Sequence, residues 1–240
     1  MPECSALLPT TSRLDLSNTN LVAFLDGDVL ARPVTRTLII MASQVTGLPV
    51  IWSRLAERQG NTNSPRNARS VTYVRELLGR SLSPRGVGSE RFSGTSPADR
   101  QILADAVAAG AGVLVTGDVD DYGEEDLDAV GITAANPDLF LSIILTADSY
   151  LDVLEQITAG RRKPPQTVGV LHGLLGRQHP RTVARFASLF NIEPSATTQR
   201  EPHLMVRGRR CLRCYALASL TSTYTLGLCE VCATVQPNKK

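Results

Sequence analysis

The sequence predicts an α/β fold in which a parallel sheet is flanked by helices. Short apolar runs that suit buried strands alternate along the chain with longer segments whose apolar residues recur every three or four positions. This alternation is typical of parallel α/β sheets. The chain has 240 residues, of which 42% are hydrophobic, so it is large enough to bury a substantial core.

The first half of the predicted sheet begins after a polar N-terminal tail. LVAFL (21–25) is the first predicted strand, and it stops at Asp-Gly-Asp. A helix is predicted over 34–47, because its apolar residues have helical spacing and Gly47 can end it. LPVIW (48–52) predicts a second strand, and residues 71–78 predict a helix between two polar loops.

The second half repeats the strand and helix alternation. A helix is predicted over 96–110 with Ser96 as its N-cap, followed by the strand VLVT (113–116). An acidic loop comes next, and then the short strand GIT (131–133). Asn136 precedes a proline and caps the next predicted helix. The working site of such a sheet lies at the carboxyl ends of its strands.

Composition narrows the class of protein. No apolar run approaches the roughly 18 residues that a membrane span needs, and the first residues lack the basic and apolar blocks of a signal peptide. We therefore expect a cytoplasmic protein without membrane contact. Four of the five cysteines form two C-x-x-C pairs near the C-terminus, which is not the framework of a secreted disulfide protein.

Charge is distributed unevenly along the chain. Residues 1–150 hold 12 basic and 18 acidic side chains, whereas residues 151–240 hold 13 basic and 5 acidic ones. An acidic half can concentrate carboxylates around a metal ion. A basic half is the usual electrostatic footprint of a polyanion such as a nucleic acid.

Four aspartates stand at the ends of predicted elements: Asp26, Asp99, Asp118 and Asp121. Because the carboxyl ends of parallel strands share one edge, we expect Asp26 and Asp118 to converge there. Clustered carboxylates repel one another unless a cation neutralises them, and oxygen ligands suit Mg²⁺ or Mn²⁺. The alternatives are a simple turn at Asp26, a helix-dipole role for Asp99 and a solvated acidic loop after residue 117.

Five sequence blocks, taken in order, resemble the PIN-domain family of ribonucleases, especially its bacterial toxin-like members. The blocks are F-L-D-G-D-V-L (24–30), W-S (52–53), S-P-A-D-R-Q-I-L-A-D-A-V (96–107), V-L-V-T-G-D-V-D-D-Y (113–122) and N-P-D-L-F-L (136–141). The resemblance covers about residues 20–150 and extends weakly through 164–186. It is carried by the order and spacing of the blocks together.

The resemblance implies a PIN-like fold and a metal-dependent endoribonuclease that hydrolyses RNA phosphodiester bonds. By matched position, Asp26 is similar to the first family acid, Asp99 to the third and Asp118 to the fourth, and these three would hold Mg²⁺ or Mn²⁺. Asp121 is similar to an auxiliary carboxylate. The resemblance also implies two candidate partners besides RNA: an antitoxin protein and a second copy of the chain.

The second family acid has no clear counterpart. Glu57, in W-S-R-L-A-E, is the nearest candidate, although its spacing from Trp52 in the sequence is shorter than is usual for the family acid. Glu76 is the alternative. If neither completes the site, the expectation is either a low metal affinity or a non-catalytic nucleic-acid-binding module with a degenerate acidic site. A third reading is a nuclease that processes ribosomal or transfer RNA.

The cysteine pairs predict a structural zinc site. Cys211, Cys214, Cys229 and Cys232 form a C-x2-C…C-x2-C pattern, which fits tetrahedral Zn²⁺ in a small ribbon. Two disulfides or unpaired thiols are the alternatives. Four arginines crowd the first pair, and we predict that they bind RNA phosphates: Arg207, Arg209, Arg210 and Arg213.

These features divide the chain into four parts. We predict an N-terminal tail (1–20), a PIN-like nuclease domain (21–150), a helical connector (151–204) and a C-terminal zinc ribbon (205–236).

Overall fold

The computed structural model describes residues 21–160, 166–192, 205–214, 224–225 and 227–234, and the predicted N-terminal tail lies outside them. The strands are β1 (Val22–Leu25), β2 (Val50–Ile51), β3 (Ala111–Val115), β4 (Thr133–Ala135), β5 (Val206–Arg207), β6 (Tyr224–Thr225) and β7 (Leu228–Cys229). The main sheet has the order β2-β1-β3-β4-β5, and β6 pairs with β7 in a separate ribbon. Strands β1 to β4 are parallel, and β5 is antiparallel to β4.

Helices flank this sheet, which confirms the predicted α/β class. Their bounds are α1 (Gly27–Ala31), α2 (Pro33–Thr46), α3 (Arg54–Asn63), α4 (Val71–Leu77), α5 (Arg100–Ala108), α6 (Glu124–Val130), α7 (Pro137–Ile144), α8 (Ala147–Ala159), α9 (Val168–Leu175), α10 (Pro180–Phe186) and α11 (Glu230–Thr234). Among the helices of the described segments, none combines the length and the apolar character needed to cross a membrane.

The central strands β1 and β3 carry the core. Phe24 of β1 lies beside Leu114 of β3, and both side chains are fully buried. Strands buried on both faces need continuous apolar sequence, which VAFL and AGVLV provide. The two strands are therefore fixed firmly, together with the loops that leave their carboxyl ends.

The helix boundaries agree with the sequence where capping residues are clear and shift where they are not. Helix α2 ends at Gly47, which adopts the left-handed conformation that glycine favours. Helix α5 begins four residues after the predicted N-cap, because the Ser96 carbonyl accepts from the amides of Asp99 and Arg100 in a separate turn. Two short helices were not predicted: α1 lies between the predicted first strand and the predicted helix over 34–47, and α6 begins inside the predicted acidic loop.

The predicted connector packs into the helical layer. Helix α8 spans the predicted boundary at residue 150 and packs against α2 and α9. Its Tyr150 is buried, contacts Nδ1 of His172 through its hydroxyl at 2.9 Å and stacks on Phe186 with ring centroids 4.4 Å apart. These aromatic contacts tie α8, α9 and α10 together.

The segment predicted to begin the ribbon joins the main sheet. Val206 pairs with Ala135, and the amide of Asn136 donates to the Met205 carbonyl at 2.8 Å. The predicted boundary at residue 205 thus falls immediately before an edge strand. Removal of this segment would expose β4, the next strand of the sheet.

Gly86, in the loop before α5, packs closely against that helix. Its amide donates to Asp105 Oδ1 at 2.8 Å, and its carbonyl accepts from Gln101 at 2.9 Å. A Cβ atom at this position would overlap the backbone of Ala104. We expect Gly86→Ala to destabilise the protein by about 1–3 kcal/mol, measured by thermal or urea unfolding.

Gly160→Ala is the matched control, because its Cβ would meet neighbours only at ordinary contact distances and its φ is −74°. This variant should be neutral or slightly stabilising. Equal stability of the two variants would show that the loop does not pack on α5 as described.

Candidate active site and cysteine centre

The candidate active site lies where the two central strands end side by side. From β1 the chain proceeds to β2 on one side of the sheet, and from β3 it proceeds to β4 on the other. Open parallel sheets bind ligands at such a switch point, beyond the carboxyl ends of the strands. Asp26 directly follows β1, and Asp118 lies three residues after the end of β3.

Asp26 is the buried centre of this site. Its Oδ1 accepts from the Gly27 amide, and its Oδ2 accepts from the Thr116 hydroxyl at 2.9 Å and the Tyr122 hydroxyl at 2.8 Å. Burial raises the pKa of Asp26, although these hydrogen bonds oppose the shift. Of the four lone-pair positions of a carboxylate, three are occupied, so one on Oδ1 remains for a further ligand.

Asp28, two residues later, extends the site along α1. Its Oδ2 accepts from the Gly117 amide at 2.9 Å and lies 3.3 Å from the Arg32 guanidinium. Burial and the neighbouring charge of Asp26 raise the pKa of Asp28 to about 7, despite the attraction of Arg32. This carboxyl group therefore exchanges a proton near neutral pH.

Three further predicted acids surround Asp26. Asp99 directly precedes α5 and is half-buried, and its pKa rises to about 6 through burial and the charges of Asp26 and Asp121. Asp118 and Asp121 are exposed, and the charge of Asp118 also raises the pKa of Asp26 and of Asp28. The structure thus brings together Asp26, Asp99, Asp118 and Asp121 within reach of one another's charge.

These carboxylates form an open group. Within the described ranges, no three His, Asp or Glu side chains have ligand atoms all within 4.8 Å of one another; the four cysteines alone meet that distance. The acids therefore lie close enough to perturb each other's pKa values, but not in a closed ligand set.

Glu57, the predicted second acid, is bound to other partners. Its Oε2 accepts from Trp52 Nε1 at 3.2 Å and from Arg75 Nε at 2.8 Å, and its Oε1 accepts from the Thr72 hydroxyl at 2.9 Å. This buried carboxylate links α3 to α4. The alternative, Glu76, is largely exposed and pairs with Arg75 at 3.4 Å.

The four C-terminal cysteines form a candidate metal site. The Sγ atoms of Cys211, Cys214, Cys229 and Cys232 all lie within 4.8 Å of one another, and none is in a disulfide. Cys214 Sγ and Cys229 Sγ are 3.7 Å apart, close to the ~3.8 Å between thiolates that share a tetrahedral zinc ion. The site is consistent with structural zinc, and the disulfide alternative is absent from the structure.

The backbone of the first knuckle supports a thiolate at Cys211. The amides of Arg213 and Cys214 point to Cys211 Sγ at 3.4 and 3.5 Å. Hydrogen bonds from Cys214 and Cys232 hold the pKa of Cys211 well below its usual range. Thiolate sulfur is the form that binds metals.

Of the arginines predicted to bind RNA, Arg207 holds β5 against the acidic loop, and Arg209 pairs with α6. Arg207 donates to the carbonyls of Asp120 and Tyr122 at 3.2 and 3.1 Å, and its guanidinium lies 3.3 Å from Asp120 Oδ1. Arg209 Nε lies 2.8 Å from Asp128 Oδ2. Both side chains therefore make intramolecular contacts that dock the C-terminal segment.

The other two arginines also have protein partners. Arg210 donates to the Gly131 carbonyl at 2.6 Å, and Arg213 donates to the Cys232 carbonyl at 2.9 Å. Phosphate contact by the four arginines remains a prediction, and their contacts in the structure are with the protein itself.

Three residues of the site were not assigned to it from sequence: Asp28, Thr116 and Tyr122. Asp28 lies in the Asp-Gly-Asp that stops β1, and Thr116 directly follows β3. Their positions at strand ends were a usable signal. The sequence carries no such signal for Tyr122, because an aromatic residue is usually part of the core. Its hydrogen bond to Asp26 joins residues that are 96 positions apart in the sequence.

The raised pKa of Asp28 predicts a pH-dependent stability. A carboxyl whose folded pKa is about 7 opposes folding above its unfolded pKa of about 3.9, and this cost grows as pH rises from about 4 to about 7 and is constant above that. In buffer without added Mg²⁺ or Mn²⁺, Asp28→Asn should raise Tm by a few degrees at pH 8, and by less at pH 5.

Asp152→Asn, at an exposed position on α8, is the control and should leave Tm nearly unchanged. A loss of stability in Asp28→Asn at pH 8 would contradict the unfavourable charge.

The cysteine geometry predicts about one zinc ion per chain. Cys211→Ser should lower the bound zinc and destabilise the ribbon together with β5, measured by elemental analysis and by hydrogen exchange of residues 205–214. Cys4→Ser is the control, because Cys4 lies outside both pairs. Protein purified with four free thiols and no zinc would refute the assignment.

Comparison with known proteins adds no assignment: no family model, no curated protein and no solved structure matches this chain. What the site can do therefore follows from its own side chains.

Proposed function

We propose that this chain is a metal-dependent endoribonuclease with a PIN-like catalytic domain. The observation that carries the proposal is the meeting of Asp26, Asp99 and Asp118 at the switch point of a parallel sheet. Their mutual repulsion is the condition that a divalent cation relieves, and oxygen ligands favour Mg²⁺ or Mn²⁺.

The three carboxylates would hold the cation, with Asp121 at the edge of the site. A divalent cation held at these oxygens would lower the pKa of a bound water and would neutralise charge on the phosphate. Thr116 and Tyr122 hold Asp26 in one orientation, so that the free lone pair of Oδ1 keeps its direction.

Hydrolysis adds a water oxygen to phosphorus and breaks the bond from phosphorus to a ribose oxygen, which must then gain a proton. Burial and the charge of Asp26 raise the pKa of Asp28 in the metal-free protein, and a cation at Asp26 would oppose this shift and favour the carboxylate form. The buried Oδ1 of Asp28 has no hydrogen-bond partner in the described part of the chain. We therefore assign Asp28 to the carboxylates that would hold the cation, and the leaving oxygen would take its proton from water.

One observation favours the non-catalytic alternative. Glu57 is bound to Arg75, Trp52 and Thr72, so completing the site with this acid would break three hydrogen bonds. Asp28 supplies the further carboxylate in our proposal. Cleavage assays separate the two functions.

The toxin-like and RNA-processing alternatives share this chemistry and differ in their target. Growth arrest on expression, relieved by a co-expressed neighbouring gene product, would identify the toxin-like role and its antitoxin. A homodimer belongs to the same proposal and is tested by the mass of the protein in solution.

We also assign zinc to the cysteine site, with a structural role. Four thiolates fill a tetrahedral ion and leave no open position for chemistry. The cysteine ribbon continues directly from β5, whose Arg207 contacts the loop that carries Tyr122. Phosphate binding by Arg207, Arg209, Arg210 and Arg213 stays a prediction separate from the catalytic proposal, since their guanidinium groups also bond to protein.

The catalytic proposal is tested with purified full-length protein and labelled single-stranded RNA, with Mn²⁺ or Mg²⁺ added or omitted. Omission is preferable to strong chelators, which would also strip zinc. Asp26→Asn and Asp99→Asn should each lower the cleavage rate by roughly 100-fold or more, because metal stabilisation of the transition state is worth several kcal/mol.

Asp152→Asn should cleave at the wild-type rate, since it lies on α8 outside the acidic group. Circular dichroism must show all variants folded. RNA that stays intact with wild-type protein under every metal condition would favour the binding module, and full activity in a folded Asp26→Asn variant would remove that residue from the mechanism.

A further inference from the structure

A cleft of about 850 Å³ opens beside the acidic group. Its walls come from the start of α2, the start of α7 and the turn between α9 and α10. Asp28 belongs to both the acidic group and this cleft, so the two are continuous. A volume of this size suits a small-molecule or nucleotide-sized group.

Positive charge dominates the free side chains of the cleft. Arg177 is exposed and Arg181 is half-buried, and neither has a side-chain hydrogen bond or an ion pair among the described residues. Arg32 also lines the cleft and remains 52% exposed beside its ion pair with Asp28. Three guanidinium groups thus border one space.

The second acid of the cleft, Asp138, already accepts hydrogen bonds from the protein. Asp138 accepts from the amides of Arg181 and Thr182 and from the Thr182 hydroxyl, each at 2.8 Å. Its carboxylate is therefore held at the start of α10 and does not pair with the guanidinium groups. Asp28 pairs with Arg32, so Arg177 and Arg181 are the cleft arginines without a carboxylate partner among the described residues.

A buried histidine offers one more polar atom in the cleft wall. His179 is 1% exposed, and its Nε2 lies 3.1 Å from the Thr35 hydroxyl. Its Nδ1 has no partner in the described ranges. If Nε2 accepts from Thr35, the neutral ring carries its proton on Nδ1, where it is a donor without an acceptor. Buried polar atoms of this kind usually have a partner, so the atom points to an unseen ligand or water.

We infer that this cleft holds a backbone phosphate of the RNA strand that flanks the phosphodiester at the acidic group. Arg177 and Arg181 would bind the phosphate, with Arg32 at the side of the cleft nearest Asp28. Guanidinium groups bind phosphate by paired, charge-assisted hydrogen bonds. The inference rests on the proposed nuclease function, and it assigns substrate positioning to a helix pair outside the predicted catalytic domain.

The test measures RNA binding apart from cleavage. Binding of a fluorescein-labelled single-stranded RNA to the full-length protein is followed by anisotropy over a range of salt concentrations, without added Mg²⁺ or Mn²⁺. The double variant Arg177→Gln with Arg181→Gln should bind about tenfold more weakly. Its log–log salt slope should be smaller by ~0.7, because one phosphate contact is lost.

Arg85→Gln is the matched control, since Arg85 is exposed and lies outside the cleft. It should keep the wild-type affinity and slope. Melting curves should agree for all variants, because the replaced side chains have no hydrogen bond or ion pair among the described residues. With Mn²⁺ added, the double variant should show a raised KM and a kcat close to that of wild type.

The possible outcomes distinguish the proposed phosphate site in the cleft from the proposed nuclease function. Wild-type affinity and slope in the double variant would overturn the cleft and leave cleavage untouched. RNA binding that depends on the two arginines, without cleavage under any metal condition, would support the cleft and refute the nuclease. Absence of RNA binding by the wild-type protein would overturn the cleft assignment.

Discussion

The burial of Asp26 is the constraint on which the rest of the site depends. A carboxylate at the end of two central, fully buried strands loses most of its contact with water, and this loss is unfavourable unless donors replace the solvent. Thr116 and Tyr122, in the segment that follows β3, supply those donors. These two hydrogen bonds fix the loop after β3 against Asp26. The exposed acids Asp118 and Asp121 lie in the same loop, between Thr116 and Tyr122.

The C-terminal segment stabilises this loop from outside. Strand β5 adds the outermost strand on the β4 side, and its Arg207 bonds the carbonyls of Asp120 and Tyr122. The cysteine knuckle begins four residues later. A chain that looks divided into an acidic catalytic part and a basic ribbon is thus joined by hydrogen bonds at the edge of the site, and much of the basic charge there is neutralised internally.

Electrostatics and packing act in opposite directions at the strand ends. Burial together with mutual repulsion raises the pKa of Asp26, Asp28 and Asp99, which costs stability. Packing of β1 against β3, where Phe24 and Leu114 are fully buried, acts against this cost. Concentrated unfavourable charge inside an otherwise consistent fold is typical of functional sites, where stability is traded for chemistry.

The sequence by itself determined the alternating elements, the acids at the strand ends and the cysteine spacing, because each is a local pattern of apolar period, capping residue or ligand spacing. Tertiary structure alone decided the partners. Glu57 binds Arg75, and Arg207 and Arg210 donate to backbone carbonyls that are distant in sequence. Local patterns report which groups are present, whereas pairing depends on contacts between residues that are distant in sequence and adjacent only after folding.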